Sequence, residues 1–160
     1  MPSRPTSRPT SRPISEGLFS WPVPAPPARP LLYGARCAAC GAVTFPAAPG
    51  CPRCGGDRME AAELPARGTL YTWTTQEFLP KLPYLGPETP ETFEPWAVGY
   101  VELSGSAGRL RVEGRLYDVD PKDLRCGMEF EVVVRPFRVA EDGTEICTYG
   151  FAPVAEGGRA

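Results

Sequence analysis

Four of the chain's six cysteines lie in CAACGAVTFPAAPGCPRC, residues 37–54, as two C-x-x-C steps each followed by glycine. Paired thiols at that spacing could form disulfides, run redox chemistry or hold a metal. A two-residue spacer lets both sulfurs of a step reach one ion, while amides of the turn point at them. Glycine after the second cysteine of each step, Gly41 and Gly55, permits the positive φ such a turn requires. Two turns of this kind supply Cys37, Cys40, Cys51 and Cys54 as four thiolates around a tetrahedral ion at roughly 2.3 Å, the closed shell of a structural zinc site. Zinc is the leading expectation, with a mononuclear iron site or a thiol pair as alternatives. A thioredoxin-like redox centre needs only one C-x-x-C set against a βαβ pattern, which is absent. A closed four-sulfur shell leaves no position for water, so the expected metal is not catalytic.

The other two cysteines stand alone, Cys126 in LRCGM and Cys147 in a late apolar run, and both read as small buried hydrophobes. Neither has a base to make it a nucleophile, because the chain contains no histidine.

Charge narrows the function classes. Of 17 basic and 19 acidic residues, four arginines and one acid precede residue 31, leaving 13 basic against 18 acidic beyond it. An acidic body argues against a large phosphate-tracking surface. No apolar run approaches the roughly 20 residues of a membrane span, and the N-terminus shows no apolar h-region of a secretory signal. A cytoplasmic location is expected, where thiols stay reduced and paired cysteines bind metal more often than they form structural disulfides.

Five domains of composition follow one another. Residues 1–13, SRPTSRPTSRP after the first two residues, repeat with a period of four. Proline in every would-be helical turn predicts a solvated, disordered tail. A Pro-rich arm, 14–32, carries Leu18, Phe19 and Trp21, too apolar for a pure linker; it lies either on this domain or on a partner. Residues 33–64 form the Gly- and Pro-rich cysteine module, with a short hairpin expected around Val43, Thr44 and Phe45. From 65 to 155 the texture is β: GTLYTWTTQEF, PWAVGYVELSG, RLRVEGRLY, MEFEVVVRPF and EICTYGFAPV are five strand-like runs. A Ser-Gly turn is expected after the second and an Asp-Gly turn before the last. DPKDLRCG between the third and fourth reads as a single helical turn. The fold class expected is therefore all-β, an N-terminal arm and four-cysteine zinc ribbon followed by a five-stranded barrel of the OB type. Residues 156–160 are a short tail. One long connection, LPKLPYLGPETPETFEP at 79–95, exceeds the length usual for a structureless loop and is either functional or a floppy acidic insert.

The ordered set RCAACGAVTFP…CPRCG, ARGTLYTWTT, PWAVGYVEL, GRLYDVDPKDLRCGMEFEVV and YGFAPV resembles the zinc-ribbon/OB-fold proteins, long labelled a domain of unknown function, that accompany thiolase-fold enzymes acting on acyl-CoA. The resemblance spans residues 31 to about 154 and leaves the Ser-Arg-Pro repeat and the 79–95 loop without counterpart. It implies an accessory subunit with no catalytic residues of its own, seated on a thiolase-fold subunit in an A2B2 assembly that forms or cleaves a C–C bond as a thiolase, synthase or retro-aldolase. It also implies a coenzyme A thioester as the substrate handle, with the OB domain beside the CoA entrance and the ribbon bracing the contact. Within that frame Trp73, Phe78 and Tyr84 offer apolar or stacking surface for CoA or the partner, and Lys81 a cation for a CoA phosphate. Against these stand barrel core for Trp73 and a solvated charge for Lys81.

Two other classes compete. A stand-alone single-stranded nucleic-acid binder would stack bases on Tyr71, Trp73, Tyr100 and Tyr117, although Arg109, Arg111 and Arg115 share their strand face with Glu113. A free-standing CoA enzyme would need an acidic base such as Asp118 or Asp120.

Overall fold

In a computed structural model of the chain, the residues described are 10–26, 28–103 and 109–155. The Ser-Gly turn at 104–105, most of the N-terminal repeat and the tail at 156–160 lie outside them. Among the described residues all regular structure is β apart from one 3₁₀ turn.

The strands in chain order are β1 (Ser11–Pro13), β2 (Tyr33–Cys37), β3 (Val43–Thr44), β4 (Met59–Glu63), β5 (Arg67–Gln76), β6 (Trp96–Leu103), β7 (Leu110–Leu116), β8 (Glu129–Val139) and β9 (Glu145–Pro153). β2, β3 and β4 make the ribbon sheet, with β2 central and both pairings antiparallel. Val43 and Thr44 pair back onto Arg36 and Ala35 across the first cysteine turn, so the expected hairpin is built with β2. β4 had no signature in the sequence: MEAAE has no β-branched or aromatic residue, and three of its five residues are exposed.

The remaining strands run β9-β7-β6-β5-β8 and close through a β8–β9 pairing. Numbered within the barrel, that is the order 1-2-3-5-4-1 of a closed OB-type Greek key. Alternation places the barrel core as expected. Val112 and Leu116 of β7 are buried while Arg111 and Glu113 face out, and Phe130 and Val132 of β8 are buried between Glu129, Glu131 and Val133. β5 breaks its alternation at a register shift between Leu70 and Thr72. That bulge turns Tyr71 and Thr72 outward together and returns Trp73 to the inner side, paired with Gly99. The single helical turn is Pro121–Asp123, with the Asp120 carboxylate accepting the Lys122 amide at 2.9 Å as its cap.

The N-terminal arm lies on this domain. Phe19 and Leu32 pair across an isolated antiparallel bridge and are 2% and 0% exposed inside the barrel's own core. Ser20 Oγ accepts the Leu31 amide at 2.9 Å, and Arg29 reaches Glu131 of β8 at 2.5 Å, where Arg67 also converges. Order begins earlier than the repeat suggests. Ser11–Pro13 pair in parallel with Glu145–Cys147 at the edge of β9, and the Ile14 amide donates to the Cys147 carbonyl at 2.8 Å. An extended, proline-fixed segment needs no helix to pair, so the same prolines that forbid a helix suit an edge strand.

Candidate metal centre and partner-facing surface

The two cysteine turns are near copies. Cys37 N donates to the Ala42 carbonyl and Gly41 N to the Cys37 carbonyl, at 2.8 and 2.9 Å; Cys51 N to Gly56 O and Gly55 N to Cys51 O repeat those bonds at the same distances. Gly41 and Gly55 have φ of +73° and +72°, the left-handed backbone that their position predicts. The turns face each other. Cys37 and Cys54 sulfurs are 3.6 Å apart, Cys40 and Cys51 likewise, and all four sulfurs lie within 4.8 Å of one another. Four thiolates at about 2.3 Å from a tetrahedral ion would stand about 3.8 Å apart, so the donor set fits zinc in both chemistry and spacing.

The electrostatics fit as well. Amides of Cys40 and then Ala39 hold the Cys37 thiol below its ordinary value, and the Cys54 amide lowers Cys51 to about 6. Cys54 receives the Gly56 amide, which alone would lower it, but bonds with Cys40, Cys37 and Cys51 outweigh this and push it up to about 12. A cluster that ionises two sulfurs easily and resists the last is one that a dication completes. When zinc is bound it closes the two turns onto each other; it has no open position for substrate.

The lone cysteines divide. Cys147 is buried, and burial followed by Glu145 pushes its thiol up to about 11. Cys126 is exposed, which corrects the expectation of a buried residue. The Gly127 amide donates to the Leu70 carbonyl and the Leu70 amide to the Met128 carbonyl, both at 2.8 Å, which fixes this turn against β5. Leu124, 1% exposed, fills the core slot, and Cys126 is turned outward.

The residues expected at a CoA or partner surface do not form one cluster. Phe78 is 79% exposed, and Lys81 is exposed beside it in the 79–95 loop. Trp73 packs part-buried against the core. Tyr84 points back to the barrel, its ring edge-on to Phe137 at 6.1 Å and its hydroxyl donating to Glu88 at 2.8 Å. The loop is therefore neither floppy nor regular. It is a strap, held by Tyr84 and by a Glu88–Arg115 ion pair of 3.1 Å, that leaves Phe78, Leu82 and Leu85 outward. Nothing in the sequence signalled Glu88, Arg115 or Trp96 as a group, since they are joined only by the fold-back of the strap.

The competing readings meet specific obstacles. The four aromatic residues of the base-stacking reading do not form one platform: Tyr71 and Tyr100 are on the outer face, Trp73 is part-buried in a cleft it shares with Tyr100 and Glu113, and Tyr117 is part-buried elsewhere. Strand arginines are matched by acids, Arg109 and Arg111 by Glu102, Arg115 by Glu88 and Arg135 by Asp118. Asp118 is spent on that 2.6 Å pair and Asp120 on its cap. No helix among the described residues is long and apolar enough to cross a membrane.

Comparison with known proteins places these two units together. The family profile described as "ChsH2, rubredoxin-like zinc ribbon domain" matches residues 25–60, and "ChsH2, C-terminal OB-fold domain" matches 61–135. A DUF35 domain-containing scaffold protein of Methanocaldococcus jannaschii is 33% identical over 122 residues, 75% of this chain and 78% of that one. The benzoylsuccinyl-CoA thiolase subunit BbsA of Thauera aromatica is 31% identical over 131 residues, 82% of each chain. Among solved structures, a chain of an Ltp2-ChsH2(DUF35) aldolase superposes with a TM-score of 0.55 at 24% identity, covering 78% of this chain and 86% of that one; that likeness is one of fold.

Proposed function

Because this chain belongs to the ChsH2 (DUF35) family of linked zinc ribbons and OB-fold domains, we propose that it is the accessory subunit of an acyl-CoA enzyme whose reactive groups sit on a thiolase-fold partner. The observation that carries this is the relationship to a thiolase subunit over 82% of both chains, spanning ribbon and barrel together. The chain's own chemistry agrees. It has no histidine, and the acids named for a base are engaged in an ion pair and a cap. The sulfur cluster is closed by its own four members, Cys37, Cys40, Cys51 and Cys54, which are the zinc ligands.

Carbon–carbon chemistry on a thioester needs the acyl group held in near-attack geometry away from water, and binding of the remote CoA handle can serve that positioning. A rigid second subunit beside the channel supplies both. The contact is assigned to the strap: Phe78 as apolar anchor and Lys81 as cation for a CoA phosphate, with Tyr84 holding the strap to the barrel and Trp73 contributing only through the barrel wall. The assembly is an A2B2 heterotetramer, and the thiolase relative favours thiolysis or condensation over retro-aldol cleavage.

The test is to express the chain tagged in its native host and identify what co-purifies. A thiolase-fold protein at one-to-one stoichiometry supports the assignment. In that complex, deleting residues 82–94 should raise KM for the CoA substrate; an unchanged KM removes the strap from the contact.

A further inference from the structure

Beneath the strap lies a cavity of about 230 Å³, lined by Tyr84, Trp96, Arg115, Tyr117, Phe137 and Tyr149 among others. Five of these six are aromatic, and the sixth is a cation stacked on two of them. The Arg115 guanidinium sits 4.6 Å over the Trp96 ring and 5.5 Å from that of Tyr117. A guanidinium held flat by aromatic faces keeps its N–H fork pre-organised for a carboxylate. The carboxylate it now meets is internal: Glu88, from the strap, touches it through a single nitrogen at 3.1 Å. Trp96 adds an unanswered donor, for its indole N–H is buried with no partner. That nitrogen is itself shielded from the cavity, so the indole serves there as a reporter of an occupant and not as its donor.

We propose that this cavity is a receptor for a small carboxylic acid on a flat apolar stem, and that Glu88 is the internal group such a ligand displaces. Three features choose the ligand. The group that Arg115 already meets at the cavity's edge is a carboxylate, so its geometry suits that group. Five rings line it, which reward a flat stem by stacking, while Glu113 in the same wall confines the ligand's carboxylate to the Arg115 side. The volume is below the roughly 300–1,000 Å³ usual for drug-sized ligands, which fits an aryl or short acyl acid and is too small for a nucleotide. The strap that carries Glu88 is held by the Tyr84 hydroxyl, the Tyr84–Phe137 ring contact and this ion pair. Displacing Glu88 therefore loosens the segment that bears Phe78, Leu82 and Leu85. This inference stands whether or not the accessory-subunit reading holds, since it concerns binding by this chain alone.

Benzoate is the probe, titrated into the zinc-loaded full chain and followed by the indole N–H resonances of Trp21, Trp73 and Trp96, the last assigned by its loss in Trp96→Phe. Benzoate should shift the Trp96 signal and leave the other two in place. Glu88→Gln should bind about tenfold more tightly, the factor by which a latch closed about nine-tenths of the time weakens apparent affinity. Arg115→Lys should lose that binding, while its unchanged Trp73 signal reports an intact fold. Inorganic phosphate should leave Trp96 unmoved. A Trp96 signal that ignores benzoate in both the native chain and Glu88→Gln overturns the proposal. Equal response to phosphate and benzoate also overturns it, because it would mean a bare cation and no shaped site.

Discussion

The ribbon and the barrel are folded by different forces. Within β2–β4 and the cysteine turns the buried apolar residues are few, chiefly Ala35, Cys37 and Cys51, and two of those three are cysteines. The barrel buries Leu70, Val101, Leu103, Val112, Leu116, Phe130, Val132 and Phe151 in one cluster, which the arm extends with Phe19 and Leu32. One unit is closed by four thiolates that would repel each other without a cation, the other by apolar area removed from water. A bracket made this way should have a core that tolerates the loss of its metal and an appendage that does not.

The largest effect separates the units outright. Cys40→Ser, or stripping zinc with a chelator, should collapse the dispersed amide resonances of residues 33–63 while those of 67–153 persist. Both units unfolding together, or neither, would erase the distinction. The reverse substitution comes next. Phe151→Ala, at a 0% exposed position, should cost the barrel about 3–5 kcal/mol in denaturant unfolding and leave zinc stoichiometry unchanged.

A smaller change sharpens the ribbon's side of the contrast. An added Cβ at Gly41 or Gly55 would meet nothing within 4 Å, so Gly→Ala there isolates backbone strain. About 1–2 kcal/mol is expected, read as faster zinc loss to a competing chelator. The smallest effect belongs to the strap. The Glu88 carboxyl is desolvated, which by itself raises it, yet bonds from the Tyr84 hydroxyl and Arg115 leave it below its ordinary 4.5. A carboxyl depressed on folding contributes stability that is complete above the unfolded value and is lost as pH falls through the folded one. Tyr84 contacts should therefore loosen only in acid below 4.5. Glu88→Gln should abolish that acid step at a cost under about 1 kcal/mol.

The same contrast explains what the sequence made legible. Thiol spacing and the glycine after each pair are local, so the metal centre could be read within 18 residues. Strict alternation in RLRVEGRLY and MEFEVVVRPF likewise announced β7 and β8. The parts that escaped are set by distant contact. Cys126 looked like core until the turn pinned by Gly127 gave its slot to Leu124. Ser11–Pro13 looked like tail because its partner is β9, more than 130 residues away. Trp73 could be assigned to either side of its strand, because a bulge changes which face a residue meets without altering the pattern of residue types. The strap's pairing of Glu88 with Arg115 depends on a fold-back that no periodicity encodes.

The central claim is that catalysis belongs to the partner and support to this chain. Thioester turnover by the purified, zinc-loaded chain, measured alone and again after its co-purified thiolase-fold subunit is added back, tests it directly. The account predicts no turnover above background alone and activity in the reconstituted complex that is lost when zinc is removed from the ribbon. Turnover by the isolated chain, or full activity of the partner without it, would contradict the account.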